Sequence, residues 1–175
     1  AKLPSGEMPN RTNWNGMAEE YPARILLAED NDLNLQLMTL MLEQLGYEFS
    51  VAKNGEEALD LVRQKEFDII LMDVQMPVMD GIDLCTALRK RPEFRTTPVV
   101  MLTAMTEKRY VDAAFIAGAT DYITKPFDIG DMQRRLRTAA LRRSEMARFE
   151  TDASAAVAQG QRRPVVGARL PFGQR

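Results

Sequence analysis

FDIILMDVQMPVMDG, residues Phe67 to Gly81, is the stretch whose reading decides the fold. Ile69-Ile70-Leu71-Met72 is an unbroken apolar run bounded by polar residues, too short for a helix and suited to a strand buried on both faces. Asp73 ends that run, which puts a carboxylate at the carboxyl edge of a sheet, where open α/β folds gather their ligand sites. Pro77 and Asp80-Gly81 then turn the chain before helical spacing resumes at Ile82, Cys85 and Leu88. Taken alone, the stretch leaves open whether Asp73 serves chemistry or merely caps a helix.

The flanking sequence repeats the pattern. Ile25 to Ala28 forms a first apolar run that ends in Glu29-Asp30-Asn31-Asp32. Asn31 or Asp32 caps a helix whose apolar face is read as Leu33, Leu37, Leu40, Met41 and Leu45, stopping at Gly46. A strand from Phe49 to Ala52 leads to a helix with Ala58, Leu59 and Val62 on one face. Beyond Phe67–Gly81 and its helix, Pro98 to Leu102 gives a fourth strand ended by Thr103. A helix carrying Val111, Ala114, Phe115 and Ala117 follows, then a fifth strand, Tyr122 to Thr124, ended by Lys125-Pro126. Strands alternating with helices over short connections specify an α/β fold with a parallel sheet covered on both faces, and the spacing leaves strand order open.

Composition narrows the chemistry. The 175 residues, 45% of them apolar, suit one domain with tails. Residues 1–21 read as a disordered leader with Trp14 as a loosely docked aromatic, residues 22–150 as the domain, and residues 151–175 as a basic, disordered tail. The last helix is placed from Asp128, with Met132, Leu136, Ala139, Ala140, Met146 and Phe149 at helical spacing. No long apolar segment or secretory leader is visible, so the expected location is the cytoplasm, away from membranes. Cys85 is the single cysteine and reads as a small buried hydrophobe. Histidine is absent, which excludes Ser-His-Asp and Cys-His catalysis, histidine-ligated zinc, and a phosphohistidine supplied by this chain. From Asp131 onward stand ten arginines, no lysine and four acids, a net +6 that leaves −8 for residues 1–130. The basic end is read either as a solvated helix face with a disordered tail or as a docking segment for an acidic partner.

In a parallel sheet all strand carboxyl ends share one edge, so Glu29, Asp30, Asp73, Thr103 and Lys125 should converge there. Crowded carboxylates repel unless a cation offsets them, and hard oxygen donors on adjacent loops suit Mg²⁺. With Lys125 as a mobile cation and Thr103 as a hydroxyl donor, the set can stabilise a transferring phosphoryl group, and Asp73 is the nucleophile available.

These residues carry a family resemblance. Glu29-Asp30, Ile70-Leu71-Met72-Asp73, Met76-Pro77-Val78-Met79-Asp80-Gly81, Thr103-Ala104 and Tyr122-Ile123-Thr124-Lys125-Pro126-Phe127, in this order, resemble the receiver domain of two-component response regulators, the CheY-like family, over about Ala23 to Arg143. The resemblance implies a flavodoxin-like five-stranded sheet of order 2-1-3-4-5. It implies that Asp73 accepts a phosphoryl group from a partner histidine kinase or phosphorelay protein, with no enzymatic turnover beyond its own phosphorylation and dephosphorylation. Asp30 and Asp73 would hold Mg²⁺ directly, Glu29 through water, and Gln75 through its backbone carbonyl. Lys125 would pair with Asp73 and then with the phosphoryl oxygens, and its bond to Pro126 would be cis. Thr103 and Tyr122 would form the switch, while Gln75 and Met105 would set the phosphoryl lifetime. The family pattern also offers a homodimer through the fourth and fifth helices. An origin at the end of a hybrid sensor kinase is the nearest alternative. A haloacid dehalogenase-type phosphatase is disfavoured because Gln75 stands where that class needs a second acid, and a flavin or nucleotide carrier because acids replace its glycine-rich loop. No DNA-binding output module, cyclase or phosphodiesterase signature accompanies the pattern, so output is expected through contacts with a downstream protein.

Overall fold

The structure, a computed structural model, describes residues 16–104 and 108–158. Five parallel strands, β1 (Ile25–Ala28), β2 (Phe49–Ala52), β3 (Ile69–Asp73), β4 (Val99–Thr103) and β5 (Asp121–Thr124), form one sheet in the order β2-β1-β3-β4-β5. The intervening helices are α1 (Asp32–Gln44), α2 (Gly55–Gln64), α3 (Gly81–Arg89), α4 (Lys108–Ala117) and α5 (Ile129–Ala158). β1, β3 and β4 are buried along their whole length because helices cover both faces, which is why they read as continuous apolar runs rather than alternating ones. Within each run the side chains still alternate between two cores. Leu27, Leu71 and Val100 pack with Met38, Leu42, Met132 and Leu136 of α1 and α5, whereas Leu26, Met72 and Met101 pack with Val62, Leu84 and Ala114 of α2, α3 and α4. Each fully buried Leu or Ile contributes roughly 1.5–3 kcal/mol, so these interleaved rows fix the register.

Helix entry is set by side-chain caps. Asn31, Asn54 and Asp80 accept from the backbone N–H of Asn34, Glu57 and Asp83, closing α1, α2 and α3 at their N-termini. Asp80 therefore performs the capping that the sequence alone left open for Asp73.

The structure corrects the reading of α1. Leu33, Leu37 and Leu40 are exposed, and the buried residues are Met38, Met41 and Leu42, continued by Leu45 beyond the helix end. Apolar residues occupy nearly every angle of this helix, so periodicity admits two faces; packing selects the one with Met38 and Leu42. The leader boundary also moves. Met17–Glu20 forms a helical turn with Met17 buried in the α1/α5 core, the Ala18 N–H donates to the Leu45 carbonyl at 3.1 Å, and the Tyr47 hydroxyl donates to the Tyr21 carbonyl at 2.7 Å. Residues 16–21 are thus part of the packed body rather than of a disordered leader. At the other end α5 continues to Ala158, past the Thr151 boundary, with Met146 and Phe149 exposed. The readings at Trp14, at Met105 and over residues 159–175 lie outside the described residues.

Candidate functional site

The carboxyl ends of β1, β3, β4 and β5 meet where the acids were expected. Glu29, directly after β1, has no exposed surface; its Oε1 accepts from the Asn31 N–H at 3.0 Å. Asp73, the last residue of β3, is 5% exposed. Its Oδ1 accepts from the Gln75 N–H at 3.2 Å and its Oδ2 from Lys125 Nζ at 2.8 Å. Glu29, Asp30 and Asp73 each present an oxygen within 4.8 Å of the others, with Asp30 at the exposed rim.

Local backbone chemistry builds this nest. A Cβ at Gly81 would collide with the Asp73 carbonyl, so only glycine lets the start of α3 close over the end of β3, where the Gly81 N–H donates to the Val74 carbonyl at 2.9 Å. Lys125 arrives through a cis bond to Pro126, and its backbone N–H donates to the Thr103 carbonyl at 2.8 Å, tying the lysine to the end of β4. The Phe127 ring lies 5.8 Å from Nζ.

Electrostatically the nest is incomplete. Glu29 Oε2 is buried and 3.2 Å from Lys125 Nζ, outside hydrogen-bond geometry, so it stays without a hydrogen-bond partner. Burial pushes the Glu29 carboxyl up from its ordinary value and the Asp73 charge adds to that, while the Asn31 N–H and Lys125 pull the other way. Burial alone would lower the Lys125 ammonium, but the hydrogen bond to Asp73 and the charges of Asp73 and Glu29 outweigh it and raise it. One lysine therefore answers two buried carboxylates, with a third acid at the rim. A buried carboxylate oxygen that has an ion-pair partner but no well-directed hydrogen bond, among clustered hard oxygen donors, fits a divalent cation.

Thr103 ends β4 and is 4% exposed. Tyr122 on β5 is half-buried, edge-on to Phe115 of α4 with ring centroids 6.2 Å apart, and Arg135 of α5 lies 5.9 Å from its ring. Thr103 and Tyr122 line one small cavity of about 10 Å³, together with Val74, Met101 and Ala114. That is at the lower limit for a single water. Gln75 stands on the β3–α3 loop with its backbone N–H on Asp73. Glu29, Asp30, Asp73, Lys125 and Thr103 are thus brought to one edge of the sheet, Gln75 adjoins them, and Tyr122, on the strand paired with β4, shares a cavity lining with Thr103. Sequence reasoning gave no role to Arg135, which also pairs with Asp121 at 2.6 Å; its only sequence signal was the arginine-rich character of α5.

A family model described as response regulator receiver domain matches residues 25–137. The chain is 38% identical over 126 residues to the transcriptional regulatory protein SrrA of Staphylococcus aureus, a match covering 72% of this chain and 51% of that protein. The chain therefore spans about half the length of this curated relative. Among solved structures, a putative response regulator from Chloroflexus aurantiacus superposes with a TM-score of 0.67 at 35% identity, over 69% of this chain and 98% of that one. The receiver domain of sensor histidine kinase PA1611 from Pseudomonas aeruginosa, which has a magnesium ion coordinated in its active site cleft, gives 0.64 at 33% identity over 67% and 97%. Among the described residues, no helix is long and apolar enough to cross a membrane.

Proposed function

The chain belongs to the response regulator receiver family, and from that premise we propose that Asp73 is its phosphoacceptor, loaded by a partner histidine kinase or phosphorelay protein. The observation that carries this reading is the 2.8 Å contact of Lys125 Nζ with Asp73 Oδ2 inside a nest of acids that one lysine leaves undercompensated. An Asp73 carboxylate oxygen attacks the phosphorus of the donor phosphohistidine; the P–O bond forms, the P–N bond breaks, and the imidazole nitrogen keeps the bonding pair. Lys125 holds the attacking carboxylate in place and then turns to the phosphoryl oxygens, to which Thr103 donates its hydroxyl. Mg²⁺, held by Asp30, Asp73 and the Gln75 carbonyl with Glu29 acting through water, would supply the charge neutralisation that phosphoryl transfer demands.

Two charge-assisted hydrogen bonds from Thr103 and Lys125, each about 1.5–3 kcal/mol, approach the ~5.5 kcal/mol that inverts a 1:99 equilibrium. The sum is an upper bound because Lys125 already pairs with Asp73. Movement of Thr103 would draw Tyr122 after it through the shared cavity and alter the α4–β5–α5 face, through which a downstream protein or a second copy reads the state. The domain acts in the cytoplasm as a signalling switch without turnover of its own, either alone or at the end of a hybrid sensor kinase; the likeness to the PA1611 receiver supports the latter setting. Acetyl phosphate with Mg²⁺ should label the wild-type chain at Asp73, and Asp73→Asn should abolish the label. A stable phosphoryl adduct on the Asp73→Asn protein would refute the assignment.

A further inference from the structure

The amino-terminal edge of the sheet holds a cation that the site chemistry does not use. Arg89, the last residue of α3, is half-buried. Its Nε and Nη2 donate to the Gly118 carbonyl at 3.0 and 2.7 Å, and its Nη1 to the carbonyls of Phe94 and Thr97 at 2.5 and 2.8 Å. No carboxylate is among these partners. The guanidinium is held by carbonyls where α4, the Pro92–Phe94 turn and the approach to β4 end, and helix C-termini favour a cation. Gly118 adopts φ +109°, and a Cβ there would meet Arg89 Cγ and Nε at 2.8 Å, so backbone and side chain are fitted to each other. The lower ends of β4 and β5 are locked beside this clamp, since Thr120 Oγ1 accepts from the Val99 N–H at 3.0 Å and donates to its carbonyl at 2.9 Å.

Thr103 stands at the opposite end of β4 from Val99. Resting on the receiver reading above, we propose that Arg89 is the fulcrum of the switch. It pins the C-terminal end of α4 and the base of β4 to α3, so that charge added at Asp73 displaces the Thr103 end of β4 while the Gly118 end stays fixed. Arg89 is a positioning residue; it touches neither Asp73 nor Lys125.

Amide hydrogen exchange on the full chain, with and without beryllofluoride and Mg²⁺, tests this. In the wild-type protein beryllofluoride should alter exchange near Thr103 and leave the Gly118, Ala119 and Thr120 amides unchanged. In Arg89→Met those three amides should exchange roughly tenfold faster, and the beryllofluoride effect should spread to them. Labelling of Asp73 by acetyl phosphate should match wild type. Arg89→Lys keeps the charge but replaces the fork with a single point donor, so it should fall between the two and serves if Arg89→Met fails to fold. A wild-type beryllofluoride effect that already reaches Gly118–Thr120 would overturn the fulcrum, as would folded Arg89 variants with the wild-type exchange pattern. If the wild-type chain takes no label at all, it is the receiver reading that fails.

Discussion

The two edges of one sheet handle charge in opposite ways. At the amino edge, Arg24 bonds Asp68 through its backbone N–H, Nε and Nη2 at 2.8, 2.9 and 3.1 Å, reaches Glu66 at 2.9 Å, and Arg143 closes on Asp68 at 3.8 Å. Burial raises the Asp68 carboxyl, but the Arg24 bonds outweigh it and hold it below its ordinary value. At the carboxyl edge, Glu29 is buried with an oxygen that no donor reaches in bonding geometry, and its carboxyl is raised. A satisfied cluster stabilises one state and gains nothing from a further ion, whereas an undersatisfied one is poised to change when a cation or phosphoryl group arrives. That contrast separates scaffold from site more sharply than a count of charged residues could.

Removing the shared cation should have the largest effect. Lys125→Met leaves Glu29 and Asp73 facing each other in a buried setting, so urea unfolding in Mg²⁺-free buffer should show a loss of about 3 kcal/mol. Mg²⁺ should restore part of it. Unchanged stability would mean that solvent already compensates the carboxylates, and the contrast between edges would collapse.

Asp68→Asn probes the satisfied edge and should cost about 1–2 kcal/mol at neutral pH without changing phosphoryl uptake. Because the folded Asp68 carboxyl lies below its unfolded value, its contribution is present above about pH 4 and is lost as the wild-type residue protonates. The two proteins should therefore converge in acid. A difference that persists at low pH would assign the loss to packing instead.

Glu29→Gln carries the opposite sign. A carboxyl raised on folding stabilises while protonated, and that contribution disappears as pH rises past its ordinary range, so the ionised form is a burden near neutrality. The variant should gain about 1 kcal/mol in Mg²⁺-free buffer and flatten this limb of the pH profile, while losing most of the Mg²⁺-induced rise in melting temperature. A destabilised variant with an intact Mg²⁺ response would reverse the reading of the nest.

The convergence of the candidate site was legible in the sequence because each acid or donor follows an apolar run, and a parallel sheet forces such positions onto one edge. The strand order followed from the family resemblance and not from spacing. Side-chain direction was harder to read. Leu33, Leu37 and Leu40 share a helical face as regularly as Met38, Met41 and Leu45 do, and only packing against the sheet distinguishes them. Met17 was missed because a four-residue helix has too few turns to show a period. The Arg89 clamp left no trace because its partners are backbone carbonyls, which every residue type supplies.

The smallest expected effect lies where α5 leaves the body. Its buried residues end at Ala140, and beyond Arg143 the apolar side chains Met146, Phe149 and Val157 are 38%, 70% and 82% exposed. Packing rather than propensity stabilises most protein helices, so a segment that buries nothing against the sheet contributes little to it. Truncation after Ser144 keeps Arg143 on Asp68 and should shift unfolding by less than about 0.5 kcal/mol, leaving Asp73 labelling intact. A larger loss would show that the extension covers the amino edge in solution. The groove between Arg143, Glu150, Phe67 and Phe94 is where that cover would sit, and the charge balance found there would then need the extension as well as Arg24.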